Sequence, residues 1–171
     1  QQISDGEIGE LIAGRAFMWR QRSERAEKSL WRNKLAVTGG GVCIDGGAHW
    51  IRPLRIWFGE IHEVIAALDR PLLEMEGESL AHCLLRFRSG VVVTLGLLAD
   101  GKSGGAVEEF RVTGTKGEIV IERSADCTDG RVLKYTTELS PGVVLMTNVQ
   151  DKRRDAFAYE LDDFANAILH G

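Results

Sequence analysis

Cysteine is scarce in this chain of 171 residues: Cys43, Cys83 and Cys127 are the full complement. They are odd in number, far apart and without C-x-x-C spacing, which excludes a disulfide framework and a zinc site and points to a reducing compartment. Long apolar runs are also lacking. The longest uncharged one, Gly90 to Ala99, is far short of the ~20 residues a membrane helix needs, and no charged-then-apolar signal segment opens the chain. The expectation is a soluble, cytoplasmic protein. Positive charge has no surplus either, with 21 Lys and Arg against 25 Asp and Glu, so nucleic-acid binding has no electrostatic support. Arg20, Arg22, Arg25, Lys28, Arg32 and Lys34 do cluster, interleaved with Glu24 and Glu27, as in a solvated loop or a site for an anionic substrate.

What the chain has is ordinary globular composition, 44% hydrophobic and 27% charged, enough for one domain with a sizeable core. Its organising stretch is Thr38 to Gly59. A glycine triplet, Gly39-Gly40-Gly41, allows a tight start to a helix, on which Asp45 and His49, four apart, share a face. An imidazole titrates near pH ~6.5, and a carboxylate one turn away can orient it, which is general acid/base equipment. A surface ion pair or an N-terminal cap has the same spacing, and both readings stand at this point. Gly46 and Gly47, costly inside a helix, imply that something approaches the backbone closely between Asp45 and His49.

The run from Gly39 to Val64 resembles the signature of the C-terminal domain of the glucose-fructose oxidoreductase, inositol dehydrogenase and MocA (Gfo/Idh/MocA) family of NAD(P)-dependent oxidoreductases. That signature is a glycine pair or triplet, apolar residues, Asp, three residues, His, and an apolar helix ending in Gly, which Asp45, His49 and Gly59 match. The resemblance extends through Asp5 to Gly9, the Phe87-Arg88-Ser89-Gly90 turn, the Gly114 to Ile119 hairpin and a closing helix from Phe157 to Gly171. It implies catalysis by His49, exchanging a substrate hydroxyl proton, with Asp45 binding a hydroxyl and orienting the imidazole. Trp31-Arg32 is similar to a Trp-Arg pair placed beside substrate in several relatives, while a tryptophan anchoring the loop by burial is an equal alternative. Many relatives carry Asp three residues after the His. Here that residue is Arg52, which faces either the site, favouring a carboxylated or phosphorylated substrate, or solvent.

Taken in order, the pattern predicts a first strand over Leu11 to Gln21, a charged surface excursion from Arg22 to Val37, and a helix from Gly41 to Phe58. Pro53 should kink or restart that helix, and Leu54, Ile56, Trp57 and Phe58 should be core. Alternating stretches predict strands at Glu63–Leu68, Ser79–Phe87, Val91–Leu98, Glu108–Thr113, Glu118–Arg123 and Val132–Leu139. Lys152 to His170 closes the chain as an amphipathic helix, with Phe157, Leu161, Phe164, Ala165 and Ile168 turned to the sheet. The fold class is α+β: one large, mainly antiparallel, mixed open sheet with helices on one face. Because Val91 to Leu98 is apolar on both faces, the other face calls for a homologous subunit, in a homodimer or tetramer.

A glycine-rich turn opening a βαβ unit, as a dinucleotide site requires, is missing, as is the family's Glu-Lys-Pro segment. Residues 1–171 therefore read as a single substrate-binding and oligomerisation domain, a fragment without its N-terminal Rossmann domain, which would bind most of the NAD or NADP. Alone it is expected to be inactive in hydride transfer. In the whole enzyme the substrate would be a sugar, polyol or related hydroxy compound, with His49 and Asp45 catalytic, Trp31, Arg32, Arg52 and Arg20 binding substrate, and no metal. A non-catalytic ligand-sensing or dimerisation module that has kept the fold is the competing reading.

Overall fold

The computed structural model describes residues 3–21, 30–72, 74–100, 107–123, 131–137, 145–149 and 153–170. Among them eight strands form one open sheet: β1 (Leu11–Gln21), β2 (Ile61–Asp69), β3 (Leu80–Phe87), β4 (Val92–Asp100), β5 (Val107–Gly114), β6 (Gly117–Arg123), β7 (Arg131–Thr137) and β8 (Leu145–Val149). Their spatial order is β2-β3-β4-β1-β5-β6-β7-β8. All neighbouring pairs are antiparallel except β1 with β4, which is parallel. A 3-10 turn (Leu30–Asn33), α1 (Leu35–Thr38), a π turn (Cys43–Gly47) running into α2 (Ala48–Phe58), and α3 (Arg153–His170) complete the described elements. The expected α+β fold with a mixed, mainly antiparallel sheet is present.

Alternation along each strand sorts the side chains. Val93, Leu95 and Leu97 of β4, Ala16 and Met18 of β1, and Phe110 and Val112 of β5 are buried on one face. On them α2 lays Trp50, Leu54 and Phe58, spaced four apart and all buried. Burial of each such side chain contributes about 2 kcal/mol. Trp50 stacks on Phe110 with ring centroids 4.4 Å apart, and Trp57 meets the same ring edge-on at 5.4 Å. Phe58 lies directly over Gly14, where any side chain would overlap its ring, while Gly46 sits against Met18 and Gly47 against Leu97. These contacts run α2 antiparallel to β1, so the π turn stands over the C-terminal end of β1.

The second face carries a register row of Ile65, Leu84, Thr94, Arg15, Arg111 and Val120. Its centre is ion-paired: Arg15 with Glu109, and Arg111 with Glu118 at 2.6 Å. To either side Ile65, Leu84 and Val92, and Trp19 and Val107, are exposed. The face is thus apolar at its flanks and charged in the middle.

Several expectations need correction. α2 passes through Pro53 without a break, and the irregular turn lies earlier, at Cys43–Gly47. The carbonyl that proline cannot serve belongs to His49, an exposed residue within reach of water. Ile56 is not core but 71% exposed, because the helix turns that side away from the sheet. Most consequential, Leu161, Phe164 and Ile168 of α3 are about two-thirds exposed, and Ala165 is exposed as well. The sheet face over β1, β4 and β5 is covered by α2 instead. The side chain of Phe157 lies outside the described ones. β8 was not foreseen, and within the supposed excursion the 3-10 turn and α1 occupy residues 30–38; residues 22–29 lie outside the described ones.

Candidate functional site

Asp45 lies in the π turn and His49 in the first turn of α2, both exposed. Trp31 and Arg32 come from the 3-10 turn: the Arg32 guanidinium sits 5.3 Å from the Trp31 ring centre, and its Nη1 is 3.5 Å from Asp45 Oδ1. The structure therefore joins three predicted residues, Trp31, Arg32 and Asp45, beside His49. Trp31 is 56% exposed, so it does not anchor the loop by burial. An ion pair as exposed as Arg32–Asp45 is worth under ~1 kcal/mol, and an incoming ligand can displace it. Arg52 is exposed one turn beyond His49. Arg20 Nη2 donates to Glu108 Oε1 at 2.9 Å, and Glu108 is buried. The Arg20 side chain stays more than half exposed beside that carboxylate.

The glycines answer to the chain itself rather than to a ligand. Gly46 and Gly47 make room for Met18 and Leu97, and a side chain at Gly41 would collide with the Glu78 carbonyl. Gly77 in turn leaves no room for a side chain against the backbone of Gly40 and Gly41. At this junction the N–H groups of Gly41 and Cys43 donate to the two Glu78 carboxylate oxygens, each at 3.0 Å, and the Val42 N–H donates to the Glu78 carbonyl at 2.7 Å. A carboxylate at the start of a helix also meets its positive dipole end. Two residues earlier Glu76 accepts from Lys34 Nζ at 2.6 Å and from the Leu35 N–H at 3.0 Å, while its own N–H donates to the Asn33 carbonyl. Glu76 and Glu78 went unnoticed in the sequence; the one available signal was that Gly77, between two glutamates, is a close-approach glycine like Gly41.

Partial burial raises the Glu78 carboxyl, but N–H bonds from Glu78 itself, Cys43 and Gly41 outweigh it and hold the group below the ordinary carboxylate range. The Lys34 ammonium, together with the Leu35 N–H, does the same for Glu76. Burial, reinforced by the Glu78 carboxylate, pushes the Cys43 thiol up to about 12, which leaves it non-nucleophilic. Cys43 and Cys83 are both free. Among the described residues no three His, Cys, Asp or Glu side chains converge as a metal would require, and no helix is long and apolar enough to cross a membrane. At the helix start after the glycine triplet, the Gly41 and Cys43 N–H groups are already bonded to Glu78 and so not open to a pyrophosphate.

The family profile of the GFO/IDH/MocA C-terminal domain matches residues 1–120. No curated protein matches the sequence. Among solved structures, a levoglucosan dehydrogenase in complex with NADH and levoglucosan is 21% identical with a TM-score of 0.69, over 87% of this chain and 42% of its own. An aldose-aldose oxidoreductase from Caulobacter crescentus, complexed with glycerol, is 23% identical with a TM-score of 0.75, over 98% of this chain and 48% of its own. An oxidoreductase from Agrobacterium radiobacter in complex with NAD+, L-tartaric acid and magnesium is 19% identical with a TM-score of 0.67, over 86% of this chain and 40% of its own. The chain thus spans less than half the length of these three proteins, and at such identities the likeness is one of fold. With the profile covering most of the sequence and the sheet and helix arranged as described, the chain belongs to the GFO/IDH/MocA family, whose C-terminal domain it carries.

Proposed function

We propose that this chain is the substrate-binding and subunit-contact domain of an NAD(P)-dependent oxidoreductase acting on a sugar, polyol or related hydroxy compound. The observation that carries the reading is the exposed cluster on one helix start: Asp45 and His49 four apart, with Trp31 and Arg32 brought to Asp45 from a separate turn. In this reading His49 accepts or returns the proton of the reacting hydroxyl, Asp45 accepts a hydrogen bond from a neighbouring hydroxyl, and the Trp31 ring offers a flat face to the carbon skeleton. In this reading the nicotinamide, which would supply the hydride chemistry, is assigned to a Rossmann domain of the full-length protein. The exposed apolar flanks of the second sheet face, Ile65, Leu84, Trp19 and Val107, are assigned to a second copy of the chain.

The test is nicotinamide reduction at 340 nm by the full-length protein, offered NAD+ and NADP+ with sugars, polyols and hydroxy acids. His49→Asn should lower kcat by about 10²- to 10⁴-fold, and unchanged turnover in that variant would sink the catalytic assignment. Ligand binding without any turnover would instead favour a sensing module. Light scattering tests the subunit contact, with Leu84→Arg expected to shift dimer towards monomer.

The two guanidinium groups beside the pair favour one substrate class. Arg32 touches Asp45, and Arg52 is exposed on the turn after His49, so a carboxylate or phosphate on the hydroxy compound would find two cationic donors. Arg52→Asp should raise KM for hydroxy acids and leave KM for neutral polyols unchanged; equal effects on both would remove this assignment.

A further inference from the structure

The helix that presents Asp45 and His49 does not cap itself. Val42, which precedes the π turn, makes no side-chain cap, and Asp45 is exposed, with Arg32 as its ion partner. The direction of the first turn is set instead by a residue on the far side of α2 and β2 in sequence. Glu78 takes three successive N–H groups, those of Gly41, Val42 and Cys43, two on its carboxylate and one on its carbonyl. The fit tolerates no side chain at Gly41 or Gly77. Two residues away Glu76 fixes the segment that bears Trp31 and Arg32. One short stretch of the β2–β3 connection therefore holds both halves of the cluster, and the 3.5 Å Arg32–Asp45 contact lies between the pieces it holds.

We infer that Glu78 is a positioning residue for the reaction: its carboxylate sets where Asp45 and His49 project from the helix start. The inference rests on the reading of His49 as the proton-exchanging group. Removing the carboxylate frees two N–H groups and lets the π turn rotate over Met18 and Leu97, and a misplacement of about 1 Å costs reactions of this kind about 10²-fold in rate.

The experiment combines steady-state kinetics of the full-length protein with amide hydrogen exchange, on Glu78→Ala, Glu78→Gln and His49→Asn. Expected for Glu78→Ala is a fall in kcat of about 10²-fold with the nicotinamide KM unchanged. Exchange at residues 41–47 should quicken at least about tenfold, and that of β3 and β4 stay as in the parent. Glu78→Gln keeps one acceptor oxygen and should fall between, so that a partial rescue separates positioning from loss of fold. If Glu78→Ala does not fold, Glu78→Gln carries the same comparison. Unchanged kcat in the glutamate variants, with His49→Asn inactive, would overturn this inference and leave the catalytic reading intact. Full activity in His49→Asn would overturn the catalytic reading, and with it this one. Uniformly faster exchange through β3 and β4 would also overturn it, as the mark of a merely structural role.

Discussion

Replacing Gly41 by alanine is the sharpest test of how the helix start is built. The new Cβ would land on the backbone carbonyl of Glu78, and a backbone atom cannot swing aside as a flexible side chain can. The β2–β3 connection must then separate from the π turn, breaking the Val42 bond to that carbonyl and the Gly41 and Cys43 bonds to the carboxylate. A neutral hydrogen bond contributes about 1 kcal/mol and a charged one about 1.5–3, and the half-buried setting of Glu78, which lets water replace part of the loss, favours the low end. The sum is about 4 kcal/mol, offset by up to about 1 kcal/mol from the better helix propensity of alanine. A net cost of about 3 kcal/mol with a denaturant slope of about 2 kcal/mol per molar moves the urea midpoint down by about 1.5 M. Gly39→Ala is the control, because Gly39 has positive φ but open space around it, and it should cost only about 1–2 kcal/mol. Circular dichroism against urea measures both. Equal midpoints for the two variants would refute the close-approach argument.

Three further outcomes follow from the same geometry. Phe110→Ala removes the ring shared by Trp50 and Trp57 and should cost about 4 kcal/mol, with loss of the near-ultraviolet tryptophan dichroism that a merely local change would spare. The Cys43 thiol, held at about 12 in the folded chain, should resist iodoacetamide at pH 8 until urea is added; because the unfolded thiol releases its proton near pH 9, stability should decline between about pH 9 and 12, and Cys43→Ser should flatten that alkaline limb. Glu78 is held below the ordinary carboxylate range, so its contribution is present at neutral pH and lost as pH falls through that range. Urea titrations of Glu78→Gln should show a shallower acid limb than the parent.

The sheet was largely legible because period-two alternation survives wherever one face is buried: Glu108 to Thr113 read correctly as a strand, within the observed Val107–Gly114. Helix assignments from periodicity were right in place and only partly right in exposure: Leu54 and Phe58 are buried as expected, Ile56 is not. Leu161, Phe164 and Ile168 have the spacing of a core-facing stripe, but spacing says only that they share a side, not that anything within the described residues covers it. The Asp45/His49 pair was visible as a local motif, and its join to Trp31 and Arg32 rests on a turn just upstream in the chain. What could not be read was Glu78. Its role depends on a backbone approach between residues more than thirty positions apart, for which a sequence offers no periodic signal, only glycines whose reason is found in the contact. The pairing of Arg20 with the buried Glu108 was likewise invisible, the two being 88 positions apart.

The place of β1 in the sheet has a consequence for assembly. Among the eight described strands it comes first in sequence yet lies inside the sheet, parallel to β4 and antiparallel to β5, so that Ala13 pairs with Val92 and Leu11 with Gly114. The remaining strands form two ribbons of sequence neighbours, β2-β3-β4 and β5 to β8, each able to pair by short-range closure. On the ribosome β1 must wait for β4 to gain its first partner and for β5 to gain its second, and only its insertion sews the two ribbons into one sheet and gives α2 a floor. Folding of this domain should thus be slow for its size, with the seam closing last and the nascent β1, rich in Phe17, Met18 and Trp19, the segment most in need of a chaperone.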